Sequence, residues 1–243
     1  MAGEVIPFYD LHSHFLPGMD DGAETPEMSL LMLSKMREQG CRGVVSTSHY
    51  YAHESINQFL SRREAAYGRL MDEAEKQGVV LPEIEFGAEV AYNRGLVYND
   101  DLEKLCFGKS NFLLLEMPFS RWSPEVMRNV RQIAAGKGIR LIIAHIERFL
   151  KIGTKDQIEE LLYSDALIQV NAENFESFSG RRTVVKLIKS GFVQLICSDS
   201  HNVGIRRPNM DMAIAYLRKA GMEDELFEIL ANNRAVFKAA AGL

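Results

Sequence analysis

Short apolar runs in this chain stop abruptly at a histidine or an acid, and that punctuation constrains the fold more than any other feature. His12 and His14 end the first run in DLHSH, His49 ends STSHY, His145 ends IIAH, and His201 closes CSDSH. Each place reads as the C-terminal lip of a β-strand, the end at which parallel α/β folds gather their functional groups. A fold that aligns these ends brings five of the six histidines around one pocket.

Between the runs lie longer amphipathic stretches, the pattern expected when helices cover a mostly parallel sheet. The spacing predicts strands over 5–10, 43–47, 83–88, 111–115, 140–144, 167–170 and 193–197. Seven strands suggest a barrel, complete or incomplete. The first helix opens at Thr25-Pro26-Glu27, where Thr25 caps, Pro26 suits the first turn, and Leu30, Leu31, Leu33 and Met36 supply a buried stripe, with Gly40 as its stop. Further helices are expected over 56–77, 124–137, 155–163, 181–189, 208–220 and 224–240. No linker, repeat or low-complexity tract interrupts the alternation, so residues 1–243 are expected to form a single domain.

The formal net charge of -5, without a long basic run, argues against a nucleic-acid partner. Cys41, Cys106 and Cys197 are odd in number and widely spaced, which reads as reduced, packed thiols and a cytoplasmic compartment. Neither an export signal nor a stretch able to span a bilayer is legible, so no membrane insertion is expected. Oligomeric state is not legible at all.

A His-x-His pair after a strand puts both imidazoles on one side of an extended backbone. Taken alone, His12 and His14 are as well explained by a solvated loop as by metal ligation. The acids alter that balance: Asp21 follows in Asp20-Asp21-Gly22, Glu89 closes FGAE, Glu116 closes NFLLLE, and Asp199 stands two residues before His201. A charge just past a buried strand is costly unless paired or coordinated, although any one of these carboxylates could instead meet an arginine. Nine donors (His12, His14, Asp21, His49, Glu89, Glu116, His145, Asp199 and His201) exceed what one tetrahedral zinc uses, and two or three divalent ions fit better. Imidazole and carboxylate without thiolate suit manganese, iron or zinc.

These elements in this order resemble the PHP (polymerase and histidinol phosphatase) superfamily, and more narrowly the manganese-dependent protein-tyrosine phosphatases of the CpsB/YwqE type. The resemblance rests on DLHSHFLPGMDDGAETPEMSL, VVSTSHY, FGAEV, IIAHIER, QVNAENF and ICSDSHN with the following Arg206-Arg207-Pro208, and covers nearly the whole chain. It implies a distorted TIM-like (β/α)7 barrel, a trinuclear centre with manganese as first choice and iron or zinc as alternatives, and all nine donors as ligands, with Glu89 bridging. It also implies hydrolysis of phosphotyrosine on a bacterial tyrosine kinase that controls capsule or exopolysaccharide synthesis, with a metal-bound hydroxide as nucleophile. Arg148 and Arg206 become the phosphate-binding residues, with Arg207 competing for the second place; Arg148 could instead merely cap a strand or pair with Glu147. The segment Tyr50 to Glu54 departs from the family pattern, and His53 matches no ligand position, so it is left outside the set.

Such a centre, cationic overall, suits a dianionic phosphate, and arginine's planar fork can hold two phosphate oxygens. None of the three cysteines has an arginine six residues on, as a thiolate-dependent tyrosine phosphatase requires, and Gly108-Lys109-Ser110 lacks the earlier glycine of a P-loop. Tyr50, Tyr51, Phe119 and Trp122 either form an aromatic mouth for a tyrosine ring or pack as a lid. Two rivals remain: histidinol-phosphate phosphatase or another small-molecule phosphoesterase, and a metal-bound binding module without turnover.

Overall fold

Each apolar run becomes a parallel strand, and most amphipathic stretches become helices that carry the chain back to begin the next. The protein is described here by a computed structural model covering residues 5–136 and 138–243. Its strands are β1 (Phe8–Ser13), β2 (Cys41–Ser46), β3 (His49–Tyr50), β4 (Glu83–Phe86), β5 (Glu89–Ala91), β6 (Phe112–Glu116), β7 (Arg140–Ile143), β8 (Leu167–Asn171) and β9 (Leu195–Cys197). The helices are α1 (Pro26–Glu38), α2 (Ile56–Gln77), α3 (Pro124–Gly136), α4 (Lys155–Leu162), α5 (Phe178–Lys189), α6 (Met210–Lys219) and α7 (Glu223–Ala241). The expected end of the third helix, Lys137, lies outside the described residues.

The strands pair in parallel, in the orders β1-β2-β4 and β3-β5-β6-β7-β8-β9. These are two parts of one curled surface, because β3 continues the line of β2 after Thr47-Ser48 and β5 continues β4 after Gly87-Ala88. Backbone bonds carry the pairing across both interruptions: Thr47 N–H donates to Ser13 O at 3.0 Å and Gly87 N–H to Ser46 O at 2.9 Å. The last strand returns to the first through a Ser13–Ser200 bridge, with Asp199 N–H donating to His12 O at 2.8 Å. The result is a distorted TIM-like barrel. Neither β3 nor β5 is expected from sequence, since runs of two or three residues are too short to display a period of two.

Strand parity sorts the side chains into two cores. Leu113 and Leu115, Leu141 and Ile143, and Ile196 face the helices, whereas Phe112, Leu114, Ile142, Ala144, Leu195 and Cys197 fill the interior with Leu11 and Val45. The C-terminal helix α7 closes that interior with Val236, Phe237 and Ala240. Gly43 is required here, because a Cβ on it would stand 2.5 Å from the Phe237 ring. Truncating Phe237 to alanine would cost about 3–5 kcal/mol, the usual range for emptying such a site.

Helix α1 starts as expected, with Thr25 Oγ1 accepting the Met28 N–H at 3.3 Å. Its stripe needs one correction: Leu31 is exposed and Met32 is buried beside Leu30, Leu33 and Met36. Helices α2 and α4 open with reciprocal capping boxes, Ser55 with Gln58 and Thr154 with Gln157. No described helix is long and apolar enough to cross a membrane. One end of the barrel is therefore plugged by α7, and the opposite rim carries the polar strand ends.

Candidate metal centre

The interior parity that buries Phe112 and Leu114 also turns Glu116, two residues on, towards the barrel axis. His145 needs more than parity, since it follows the outward-facing Ile143. Its backbone takes φ 29°, a left-handed conformation. Asp199, at φ 50°, is the other described non-glycine residue with positive φ. Strain confined to two candidate ligands is the kind that a fold maintains at a working site.

Eight of the nine expected donors are largely buried, and four of them, all histidines, meet a fifth, Glu89. Glu89 Oε2 lies 3.1 Å from His12 Nε2, 3.2 Å from His14 Nε2 and 3.1 Å from His49 Nδ1, while Oε1 lies 2.7 Å from His145 Nε2. Asp199 Oδ1 stands 3.3 Å from His12 Nε2, and Glu116 stands 3.5 Å from His145 Nε2. The ninth donor, Asp21, is 59% exposed at the rim, 3.4 Å from His49 Nε2 and 3.3 Å from His201 Nε2.

Three overlapping groups of donor atoms result: His12, His14, Glu89 and Asp199; His49, Glu89 and Glu116; and His14, Asp21, His49 and His201. His145 joins the second by its contacts with Glu89 and Glu116. Buried atoms in these groups without a hydrogen-bond partner include Glu89 Oε2, His49 Nδ1 and His201 Nε2. Nitrogen and oxygen atoms at about 3 Å that nevertheless fail hydrogen-bond geometry are poorly served by each other and well served by a shared cation. The donor set therefore fits divalent metal.

The electrostatics agree. Burial would raise the Glu89 carboxyl, but the surrounding His12, His14 and His145 hold it well below the usual range. Glu116, with burial and the Glu89 charge both acting on it, is pushed up to about 7. Burial, followed by the proximity of His14, lowers His201 to about 3. Groups pushed in opposite directions within one buried cluster are a mark of functional sites, where burial and close charges act together.

Two arginines border the cluster. Arg148 Nη2 donates to Asp199 Oδ2 at 2.8 Å and to Glu173 Oε1 at 3.0 Å. Arg206 reaches Asp21 Oδ2 at 3.1 Å and Asp199 Oδ1 at 3.3 Å. Arg207 points elsewhere, to Glu176 at 2.9 Å. Of the four aromatics expected near the mouth, Tyr50 and Trp122 are buried in the outer core. Tyr51, 42% exposed, stacks on His49 at 5.3 Å, and Phe119, 59% exposed, stacks near His145 at 6.5 Å. His53 stands outside the cluster, stacked on Tyr51.

Sequence reasoning did not single out the polar residues beneath the donors. Gln169 Oε1 accepts the His145 N–H at 2.7 Å and lies 3.4 Å from His12 Nδ1; Gln169 Nε2 donates to Asn171 Oδ1, and Asn171 Nδ2 donates to Asp199 Oδ2 at 2.7 Å. Their signal was available in LIQVN, where two amides alternate with apolar residues on the inward parity. Asp10 is buried likewise, accepting the Ser198 N–H at 3.0 Å.

Comparisons with known proteins agree with this architecture. A family model described as capsular polysaccharide synthesis, CpsB/CapC, matches residues 8–237. The tyrosine-protein phosphatase YwqE of Bacillus subtilis is 28% identical, covering 94% of this chain and 93% of its own. The tyrosine-protein phosphatase CpsB of Streptococcus agalactiae serotype III is 25% identical, covering 94% and 98%. Among solved structures, one reported for YwqE from Bacillus subtilis and CpsB from Streptococcus pneumoniae, described as unique metal-dependent tyrosine phosphatases, superposes with a TM-score of 0.79 at 22% identity, covering 95% of this chain and 94% of that one. An organophosphorus hydrolase from Deinococcus radiodurans shares the fold more distantly, with a TM-score of 0.54 at 13% identity over 95% of this chain and 92% of that one. With its family model spanning the barrel from β1 to α7, this chain belongs to the CpsB/CapC family.

Proposed function

We propose that this chain, acting as one domain over residues 1–243, is a metal-dependent protein-tyrosine phosphatase whose substrate is a phosphotyrosyl bacterial tyrosine kinase of capsule or exopolysaccharide synthesis. The observation that carries the reading is the convergence of buried imidazoles on the Glu89 and Asp199 carboxylates, with Arg148 and Arg206 at the rim. The names of the relatives supply the substrate class.

His12, His14, Glu89 and Asp199 would hold one ion, His145, Glu89 and Glu116 a second, and Asp21, His49 and His201 a third, with manganese first and iron or zinc as alternatives. When bound, divalent ions supply Lewis acidity at the phosphoryl oxygens and acidify water to near neutrality. Arg148 and Arg206 orient the phosphate and offset charge on its equatorial oxygens, and both are pre-aimed because Asp199 holds each guanidinium. Tyr51 and Phe119 flank the opening as apolar contacts for an aromatic ring. A phenolate leaving group, with a parent pKa of about 10, departs with little or no general-acid assistance.

Parallel assays on a phosphotyrosyl peptide and histidinol phosphate, with and without chelator, test this reading. Chelator-sensitive release of phosphate from the peptide is expected. Turnover of histidinol phosphate alone, or turnover of neither, would contradict it.

A further inference from the structure

Asp20 is the acid that the ligand set leaves unused. Its side chain is turned inwards at 5% exposure, whereas Asp21 beside it is open at the rim. Asp20 Oδ2 lies 2.8 Å from His14 Nδ1 and also accepts the His49 N–H at 2.7 Å, while Oδ1 accepts the Gly22 N–H at 3.0 Å. One carboxylate therefore ties together the end of β1, the loop after it and the start of β3.

The loop has its own fixings. Ala23 N–H donates to His14 O at 2.9 Å, and Gly18 N–H to Ala23 O at 2.8 Å. The approach is so close that a Cβ on Gly22 would stand 2.0 Å from His14 O. The loop thus has attachments to the barrel besides Asp20.

Its position matters because His14 sits between two donor groups. On one side are His12, Glu89 and Asp199; on the other are Asp21, His49 and His201, the last with its ring stacked 3.9 Å from that of His14. An unrestrained imidazole could offer either nitrogen to either group. With Nδ1–H donated to Asp20, only Nε2 keeps a lone pair for a metal, and it lies 3.2 Å from His12 Nε2, 3.2 Å from Glu89 Oε2 and 3.6 Å from Asp199 Oδ1. The other histidines are held differently: His12 Nδ1 faces the neutral amide of Gln169, and His201 Nδ1 faces the Asp199 carbonyl. Among the described candidate histidines, His14 is the one whose remote nitrogen meets a carboxylate from outside the ligand set.

We propose that Asp20 is a positioning residue: by holding His14 Nδ1 it commits His14 Nε2 to the ion of His12, Glu89 and Asp199, and by holding the His49 amide it keeps Asp21, His49 and His201 as a separate site. The inference rests on the reading of these donors as ligands. A carboxylate behind an imidazole fixes its tautomer and strengthens it as a ligand, an effect typically worth a factor of about 10–100 in metal affinity.

The test compares wild type with Asp20→Ala and Asp20→Asn by manganese stoichiometry and affinity in chelator competition, together with the Tm of each chelated protein. Asp20→Ala should weaken manganese by roughly 10–100-fold. Asp20→Asn, which keeps an acceptor without the charge, should fall between, and the chelated variants should remain folded, with a Tm lowered by the lost hydrogen bonds. Should Asp20→Ala fail to fold, Asp20→Asn carries the same criteria. Wild-type affinity and stoichiometry in the folded variants would overturn the proposal, as would a lowered Tm with metal affinity unchanged, the mark of a loop anchor only. Wild type that binds no manganese would instead remove the ligand reading itself, a separate outcome.

Discussion

Glu89 and His145, 56 positions apart, meet at 2.7 Å at the barrel rim. The contact uses one carboxylate oxygen, leaving the other among His12, His14 and His49, so Glu89 is the point at which separate strand ends become one site.

His14→Ala and Asp199→Ala should each lower bound metal and abolish most turnover, because each removes a buried donor from the group shared with Glu89. His53→Ala, outside the cluster, should retain both. Metal analysis of purified, folded variants decides the matter, and unchanged metal content in the first two would mean that the ligands are misassigned.

Arg206→Ala should reduce kcat/KM on an aryl phosphate by about a hundredfold, the usual loss when one donor to a developing oxyanion is removed. Arg207→Ala should cost only a few-fold, since that guanidinium pairs with Glu176. Steady-state kinetics of the two variants side by side provides the check, and the reverse order would reassign the second phosphate-binding residue.

Much of the fold and site was legible because a strand end is written locally: apolar residues at period two, then a polar stop. That logic located the seven main strands, although the first lies later than expected, at Phe8–Ser13, and contains His12 instead of preceding it, and it brought His12, Glu116, His145 and Asp199 into consideration. It failed where the third dimension decides. Thr47-Ser48 and Gly87-Ala88 interrupt two strand lines, so the short strands that begin at His49 and Glu89 carry too little pattern to be read. Choosing Met32 over Leu31 depends on the exact rotation of α1 against the barrel. The inward amide of Gln169 is legible in LIQVN, but its pairing with His12, 157 positions away, is not. Asp20 and Asp21 are chemically identical, and only the turn around Gly22 sends one inwards and the other to the rim.

Metal-free protein should become less stable as pH rises through the range in which Glu116 titrates. Burial, with the Glu89 charge, pushes this carboxyl up to about 7 from an ordinary 4.5. Between those values the unfolded chain has lost the proton and the folded chain has kept it, so rising pH favours unfolding. Melting of chelated wild type and Glu116→Gln from about pH 5 to about pH 8 should give curves that diverge, with wild type losing more. Parallel curves would contradict the assignment.

The three thiols should be dispensable. Cys41, Cys106 and Cys197 are all buried, and burial, with Glu103 nearby, raises the Cys106 thiol to about 12. Thiolate is therefore scarce at neutral pH and alkylation should be slow. Iodoacetamide under native conditions should leave turnover intact; loss of activity without loss of structure would implicate a cysteine in the chemistry.

Anomalous diffraction from crystals grown in excess manganese would test the central claim most directly. Peaks are expected among His12, His14, Glu89 and Asp199, beside Glu116 and His145, and between His49, Asp21 and His201, with Glu89 touching more than one. A rim without anomalous density and with those side chains turned away from one another would contradict the account.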